Sequence, residues 1–215
     1  MLTEKNFKKI VEEKFDIKVN KIEKNLQSTV GNVYIVFSNK SKYVIKAYNN
    51  LKHTKWIVKL HKVLVKNNFY VPEVIKNNLN KEYLEISKNT YIVVYSFLKG
   101  HQVVWDETKI KLTDNEICIL ANTLRDLHKI TNNSEINLPS IPFENYIGRK
   151  SILHFDLTRQ NIFINDKEKK VGFIDFDDAK FGEAVCDVAI LIANLFFSKT
   201  KGVNLDGINK FIDAY

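Results

Sequence analysis

The chain has 215 residues, of which 45% are hydrophobic and 27% are charged, as in an ordinary globular protein. This composition excludes a collagen-like, coiled-coil or largely disordered chain, and the low numbers of glycine (7) and proline (3) argue against a turn-rich β-sandwich. The net charge of +8 is uneven: residues 1–100 carry 19 lysines and 8 acidic residues, whereas residues 101–215 carry 14 basic and 17 acidic residues.

The basic first half does not by itself indicate a nucleic-acid ligand. Only three of the 33 basic residues are arginines, and the planar guanidinium is the group on which base readers and phosphate clamps depend. We therefore expect no nucleic-acid partner. A basic nucleic-acid-binding protein stays open as an alternative, and a steep salt dependence of DNA binding would favour it.

Two cysteines, Cys118 and Cys186, lie 68 residues apart and form no C-x-x-C pair, which fits a reducing compartment. The N-terminus lacks the apolar core of a signal peptide. The longest apolar run, Val188–Phe197, has ten residues, whereas a membrane span needs about 20. We expect a cytoplasmic protein without a membrane partner, and the sequence leaves the oligomeric state open.

Hydrophobic periodicity predicts helices and strands in alternation through the first hundred residues. Apolar residues three and four apart predict helices, and β-branched and aromatic runs predict strands, two of which flank a turn at 39–41. The predicted elements in chain order are a helix at 4–15, strands at 33–37 and 43–45, a helix at 54–67, and strands at 83–86 and 91–95.

The second half is predicted to be mainly helical. A helix at 113–130 begins with Thr113, followed three residues later by Glu116, which is the pattern of a capping box. Two short strands within 161–175, a buried helix at 184–197 and a helix at 208–215 follow. The sequence thus predicts an α+β chain with an antiparallel-sheet lobe at residues 1–97 and a mainly helical lobe at 98–215.

Polar residues interrupt an apolar stretch between residues 152 and 189. His154 and Asp156 follow one apolar run, Asn161 comes five residues after Asp156, and Asp175 follows the strand that precedes it. Charged groups between apolar strands are costly unless they are paired or bind a metal. A short loop followed by a tight hairpin can bring Asp156, Asn161 and Asp175 together.

These residue types suit a magnesium site beside a catalytic carboxylate. The amide oxygen of Asn161 and the carboxylate of Asp175 are hard oxygen ligands, and Mg²⁺ is bound by few protein ligands together with phosphate oxygens. Asp156 is then left to orient a nucleophile or to accept its proton. We predict Asn161 and Asp175 as metal ligands and Asp156 as the catalytic residue.

The order H-x-D-L-x-x-x-N, hairpin, I-D-F, and then C-D-V-A resembles the motifs of the aminoglycoside phosphotransferase/choline kinase superfamily. Those enzymes are small-molecule relatives of the protein kinases. The stretch from Asp187 to the end is most similar to the homoserine kinase-like branch. The resemblance implies a bilobal protein-kinase-like fold and an ATP- and Mg²⁺-dependent transfer of a phosphoryl group to a small-molecule hydroxyl.

The resemblance also implies roles for individual residues. Asp187 is similar to the aspartate that braces the catalytic loop, and His154 and His128 are interpreted as buried structural histidines. In that family the nucleotide is bound by a lysine on a strand, by a loop that covers the phosphates and by a hinge whose backbone binds adenine. At the matching positions stand Lys46, Ser28, Thr29, Gly31, Ser96 and Leu98.

Two departures from the family pattern favour an alternative, a catalytically weak or silent kinase-fold protein with a binding or structural role. No acidic residue lies between Lys46 and Glu73, where kinase-like folds carry the glutamate that pairs with the strand lysine. Family members also continue for several tens of residues past the position of Tyr215, so we expect a truncated chain or a compact member.

The acceptor is less well determined, and an amino acid, an amino alcohol or an aminoglycoside-like molecule all stay open. Asp177, Asp178 and Glu183 could face a cationic acceptor, although an acidic run of this kind is usually a solvated loop. Arg159 could contact an acceptor carboxylate or a phosphate, although a surface arginine is the simpler interpretation.

Overall fold

The computed structural model describes residues 4–25, 33–39, 41–103, 112–130, 135–141, 148–198 and 200–215. The chain forms two compact units, the first comprising Met1–Val63 and Pro72–Phe97 and the second Leu64–Val71 and Leu98–Tyr215. The predicted lobe at residues 1–97 includes Leu64–Val71, which belongs to the second unit.

The first unit is an antiparallel sheet with two helices. Among the described residues the sheet order is β1-β2-β3-β6-β4, with β5 paired to the other end of β6. The elements are α1 (Glu4–Phe15), β1 (Lys21–Lys24), β2 (Val33–Phe37), β3 (Lys42–Tyr48), α2 (Leu51–Lys66, whose last turn belongs to the second unit), β4 (Val74–Ile75), β5 (Leu84–Ser87) and β6 (Thr90–Ser96).

The core of the first unit lies between α1 and the sheet. Apolar residues three and four apart put Phe7, Val11 and Phe15 on one face of α1, where they are buried. They pack in one cluster with Val36 and Ile45, the residues that point to the same side of adjacent strands. The predicted pattern of 4–15, 33–37 and 43–45 is therefore observed.

Within its described residues, the second unit combines helices α3, α4 and α5 with short antiparallel strand pairs and two 3-10 turns. The described pairings are β10-β9-β7, β11-β8 and β12-β13. The elements are β7 (His101–Gln102), α3 (Asp114–His128), β8 (Lys150–Leu153), a turn at Arg159–Asn161, β9 (Ile162–Asn165), β10 (Lys170–Phe173), a turn at Phe176–Asp178, β11 (Lys180–Glu183), α4 (Val185–Leu195), β12 (Phe197–Ser198), β13 (Gly202–Val203) and α5 (Leu205–Ala214).

Helix α3 begins with the predicted capping box. The Thr113 hydroxyl accepts a hydrogen bond from the Glu116 N–H at 3.3 Å, and the Glu116 carboxylate accepts one from the Thr113 N–H at 2.6 Å. These bonds satisfy two groups at the end of the helix that have no partner within it. Ile117, Leu120 and Leu124 form the buried face of the helix.

The α+β class is confirmed, and several helix bounds differ from the predicted ones, among them the start of α5, which is Leu205 rather than residue 208. Helix α2 begins at Leu51 rather than at residue 54, because Asn50 caps it by accepting the His53 N–H at 3.0 Å. Helix α4 ends at Leu195, because Phe197 and Ser198 pair with Gly202 and Val203 in a small hairpin. No helix in the described ranges is long and apolar enough to cross a membrane.

Candidate active site

The second unit brings Asp156 and Asn161 into direct contact and places Asp175 near them. Asp156 lies in the loop after β8, Asn161 ends the 3-10 turn before β9, and Asp175 follows β10. The β9–β10 hairpin is in register from Ile162 opposite Phe173 to Asn165 opposite Lys170, so at its open end Ile174 lies opposite Asn161 and Asp175 is the next residue.

Asn161 orients Asp156. Its side-chain nitrogen donates to the Asp156 backbone carbonyl at 2.9 Å and to the Asp156 carboxylate at 2.8 Å. Since both partners are acceptors, the Asn161 amide must present its NH₂ to Asp156 and its oxygen elsewhere. Within the described part of the chain no hydrogen bond is donated to that oxygen.

Backbone bonds fix Asp175 relative to this pair. The Ile174 N–H donates to the Asn161 carbonyl at 2.9 Å, which extends the hairpin by one link. Asp175 then adopts a left-handed backbone conformation with φ 65° and ψ 59°. A non-glycine residue in this region costs free energy, and such residues are enriched at functional sites.

His154 connects the two sides of the site through its ring. Its Nε2 lies 2.8 Å from the Ile174 carbonyl, and its Nδ1 lies 3.3 Å from the Asp156 N–H. A carbonyl needs a donor and an N–H needs an acceptor, so the imidazole is neutral with its proton on Nε2. Burial lowers the pKa of His154, against the opposing charge of Asp187, in agreement with this form. The interpretation as a satisfied, buried histidine is consistent with these contacts.

Asp187 binds the backbone of the loop that carries Asp156. Its carboxylate is fully buried and accepts the N–H of His154 at 2.7 Å and that of Phe155 at 2.8 Å. The same carboxylate lies 3.1 Å from His128 Nε2. Phe155 has a φ of 66°, a conformation that needs such anchoring. These contacts agree with the bracing role that the resemblance implied.

The electrostatics of the site favour a carboxylate that readily accepts a proton. Burial raises the pKa of Asp156, and the negative charges of Asp175 and Asp178 raise it further, while the bond from Asn161 acts in the opposite direction. The pKa therefore rises because three acidic groups share a partly desolvated region.

The donor set at the hairpin end fits a magnesium ion. The Asn161 amide presents its NH₂ to Asp156, which leaves its oxygen for another partner, and Asp175 lies at the same end of the hairpin, so two hard oxygen ligands come from this region. No group of three or more His, Cys, Asp or Glu side chains suited to a metal occurs in the described ranges. Two protein ligands suit Mg²⁺ bound together with a nucleotide better than a metal held by protein alone.

Arg159 binds the end of helix α4. Its Nε donates to the Asn194 carbonyl at 2.6 Å and one terminal nitrogen donates to the Leu195 carbonyl at 3.2 Å. A guanidinium at the end of α4 satisfies carbonyls that have no partner within the helix and suits the negative end of the helix dipole. Arg159 is 9% exposed, so the interpretation as a surface arginine is wrong, and its contact with an acceptor stays a prediction.

Of the six predicted nucleotide residues, three lie in the described part of the chain and three do not. Lys46 lies in the middle of β3, and the Ser96 hydroxyl at the end of β6 accepts the Glu73 N–H at 2.8 Å. Leu98 is 7% exposed, while Ser28, Thr29 and Gly31 lie outside the described residues. The roles of all six in nucleotide binding stay predictions.

Residues 137–210, about a third of the chain, match the family described as the phosphotransferase enzyme family. The match includes the loop that carries Asp156, the β9–β10 hairpin and helix α4. No curated protein sequence matches the chain.

Solved structures with the same fold are small-molecule phosphotransferases. A spectinomycin phosphotransferase in complex with ADP and spectinomycin is 14% identical, with a TM-score of 0.80 over 100% of this chain and 80% of the other. An amicoumacin kinase in complex with AMP-PNP and Ca²⁺ is 13% identical, with a TM-score of 0.77 over 99% and 76%. A microcompartment-associated aminopropanol kinase is 12% identical, with a TM-score of 0.66 over 91% and 74%.

The resemblance to the aminoglycoside phosphotransferase superfamily is confirmed. The kinase-like fold is confirmed with it, because these likenesses extend over almost the whole chain. The matches do not confirm the homoserine kinase-like branch. At identities of 12–14% the structural likeness establishes the fold alone, so the assignment of a reaction depends on the residues of the site.

Proposed function

We propose that this protein is an ATP- and Mg²⁺-dependent phosphotransferase that acts on a hydroxyl group of a small molecule. The observation that carries the proposal is the 2.8 Å bond from Asn161 to the Asp156 carboxylate, on a hairpin that presents Asp175 beside it. The match of residues 137–210 to a phosphotransferase family supports the same reaction class.

Asp156 is the catalytic residue of the proposed reaction. Its carboxylate is oriented by Asn161 and accepts a hydrogen bond from the acceptor hydroxyl, which aligns the oxygen for attack. The raised pKa of Asp156 makes this carboxylate a better proton acceptor than a fully solvated one. Positioning and electrostatics supply most of the catalysis in phosphoryl transfer, so a fixed carboxylate is the principal requirement.

Asn161 and Asp175 hold the magnesium ion through the Asn161 amide oxygen and the Asp175 carboxylate. When bound, Mg²⁺ offsets the charge of the nucleotide phosphates. The chain contributes the placement of these ligands: the Ile174-to-Asn161 backbone bond sets the separation of the two strand ends, and the His154 ring holds the Ile174 carbonyl.

ATP is the proposed phosphoryl donor. The spectinomycin phosphotransferase structure contains ADP and the amicoumacin kinase structure contains AMP-PNP. Lys46 and the other predicted nucleotide residues are proposed to bind this donor. The proposed acceptors are amino acids, amino alcohols and aminoglycoside-like molecules, since the similar proteins include a spectinomycin phosphotransferase and an aminopropanol kinase.

The test combines ligand binding with turnover. Thermal unfolding is measured with and without MgATP and again with EDTA, because a ligand that binds only the native state raises the midpoint. ADP release is then measured over a panel of the three acceptor classes. We expect a magnesium-dependent rise of the midpoint and turnover with at least one acceptor.

Two variants separate the proposed roles. Asp156→Ala is expected to lower turnover at least about 100-fold while the MgATP shift of the midpoint persists. Asp175→Ala is expected to remove the magnesium-dependent part of that shift. Asp166→Ala, which changes an exposed aspartate in the β9–β10 turn, is the matched control and is expected to leave both readouts unchanged.

The alternative of a catalytically silent kinase-fold protein has a distinct outcome. A wild-type protein that is folded but shows no midpoint shift at millimolar MgATP, and no ADP release with any acceptor, would contradict the proposed function. The intact set of Asp156, Asn161 and Asp175 is the observation that weighs against this alternative.

A further inference from the structure

Two buried polar side chains, His128 and Asp187, and the partly buried Tyr215 form a chain of hydrogen bonds next to the loop that carries Asp156. His128 at the end of α3 is 2% exposed and Asp187 in α4 is 0% exposed. Tyr215, which follows α5, places its hydroxyl 2.6 Å from His128 Nδ1, and His128 Nε2 lies 3.1 Å from the Asp187 carboxylate. The chain of bonds thus connects α5 to the residue that holds the loop.

Asp187 has no role in the proposed chemistry except through the loop backbone. One of its oxygens accepts the Phe155 N–H, and the other accepts the His154 N–H together with the His128 ring N–H. A buried carboxylate is stable in one orientation only when its hydrogen-bonding capacity is well used. The third donor, His128, therefore contributes to the orientation of the first two bonds.

The His128 ring has a different partner at each nitrogen. A carboxylate can only accept, so His128 Nε2 carries a proton and donates to Asp187. The Tyr215 hydroxyl is the hydrogen-bond partner of Nδ1 on the other side of the ring. Burial raises the pKa of the Tyr215 phenol, and the charge of Asp187 raises it further, so the hydroxyl stays protonated.

Other contacts hold the Tyr215 ring in place independently of its hydroxyl. The ring stacks on Phe211 with centroids 6.0 Å apart, and it meets the His128 ring edge-on at 5.7 Å. Arg125 donates to the Ala214 carbonyl at 3.0 Å, which attaches the end of α5 to α3. Removing the hydroxyl alone therefore leaves the packing of the ring intact.

We infer that Tyr215 is a positioning residue for phosphoryl transfer. Its hydroxyl holds the His128 ring in the orientation that donates to Asp187, and Asp187 in turn fixes the backbone of the loop that carries Asp156. The inference rests on the proposed function for its catalytic consequence. The coupling from Tyr215 to the loop is a property of the fold, and it can be measured without activity.

The first experiment is NMR on the wild-type protein and Tyr215→Phe. The readouts are the ¹⁵N signals of the His128 ring and the backbone amide signals of His154 and Phe155. We expect the substitution to shift all three, because Nδ1 loses its hydrogen-bond partner and the Asp187 carboxylate loses the orientation that His128 gives it.

Tyr70→Phe is the matched control. The Tyr70 hydroxyl also makes two hydrogen bonds within the second unit, donating to the Lys99 carbonyl at 2.7 Å and accepting from the Asn165 side chain at 2.8 Å. It has no contact with Asp187, so its removal is expected to leave the His128, His154 and Phe155 signals unchanged. A general loosening of the unit would move them in both variants and would overturn the inference.

Kinetics provides the second readout. We expect Tyr215→Phe to lower kcat about threefold to tenfold, the size of one lost hydrogen bond, while KM for ATP stays within about twofold. An unchanged kcat in an active protein would overturn the positioning role, as would unshifted loop amides. If the wild-type protein transfers no phosphate but the loop signals still move in Tyr215→Phe, the coupling stands and only the proposed function fails.

Discussion

The contacts of Asp187 predict a large and specific loss of stability when its carboxylate is removed. In Asp187→Ala, the buried N–H groups of His154 and Phe155 lose their acceptor, and the His128 ring N–H loses its partner. Each buried donor left without a partner costs about 1–3 kcal/mol. Water that enters the vacated space offsets part of this cost, so the expected loss is about 3–5 kcal/mol.

The loss is measurable because a protein of this size is typically stable by about 5–15 kcal/mol, so the variant still folds. Urea unfolding followed by circular dichroism gives the free energy of unfolding, provided that the slope with urea is the same as in the wild type. Hydrogen exchange should show where the loss lies. The amides of residues 152–158 are expected to exchange faster, because Phe155 leaves its left-handed conformation once its N–H is released.

Asp126→Ala is the control for this prediction. Asp126 lies in the same unit and pairs with Lys129 at 2.6 Å, but both side chains are about half exposed. An exposed ion pair contributes little, so this variant is expected to lose less than about 1 kcal/mol. Equal losses in Asp187→Ala and Asp126→Ala would refute the argument that the Asp187 bonds hold the loop.

Two further predictions concern the packing of the second unit. In Gly172→Ala the new methyl group would lie 2.2 Å from the Tyr70 carbonyl oxygen, and we expect the free energy of unfolding, measured with urea, to fall by about 3 kcal/mol. Gly202→Ala is the control, because φ is 72° there and no atom lies within 4 Å of the new methyl group, so a decrease of about 1 kcal/mol is expected. Comparable decreases in the two variants would contradict the predicted clash at Gly172. Arg159→Met is expected to lower the free energy of unfolding by about 2–3 kcal/mol without raising KM for the acceptor, because Arg159 caps α4; a raised KM at unchanged stability would support its predicted contact with the acceptor.

The proximity of Asp156, Asn161 and Asp175 could be predicted from the sequence because their arrangement is local. Asp156, Asn161 and Asp175 lie within twenty residues of one another and are joined by a short turn and a tight hairpin. Alternating apolar strands around a polar turn predict such a hairpin, and the hairpin brings its two ends together. The capping box of Thr113 and Glu116 was predictable for the same reason, since its two residues are three apart.

The backbone conformations at the site could not be predicted in this way. Phe155 and Asp175 both have a positive φ, a conformation that neither a phenylalanine nor an aspartate prefers. Each is imposed by bonds to distant residues, as the bond from the Phe155 N–H to Asp187 shows. Local preference predicts an ordinary loop at these positions, so the strain becomes visible only in the structure.

The side-chain contacts that hold the loop also could not be predicted from the sequence, since they join residues far apart in the chain. Arg159 bonds to a carbonyl 35 residues away, His128 to Asp187 over 59 residues and to Tyr215 over 87. A sequence motif indicates which residues could take part in the reaction. The long-range bonds determine whether the loop that carries those residues keeps its conformation. Substitutions at such positions should therefore affect kcat through the loop, and Tyr215 is the position where removal of a single hydroxyl can distinguish that effect from loss of packing.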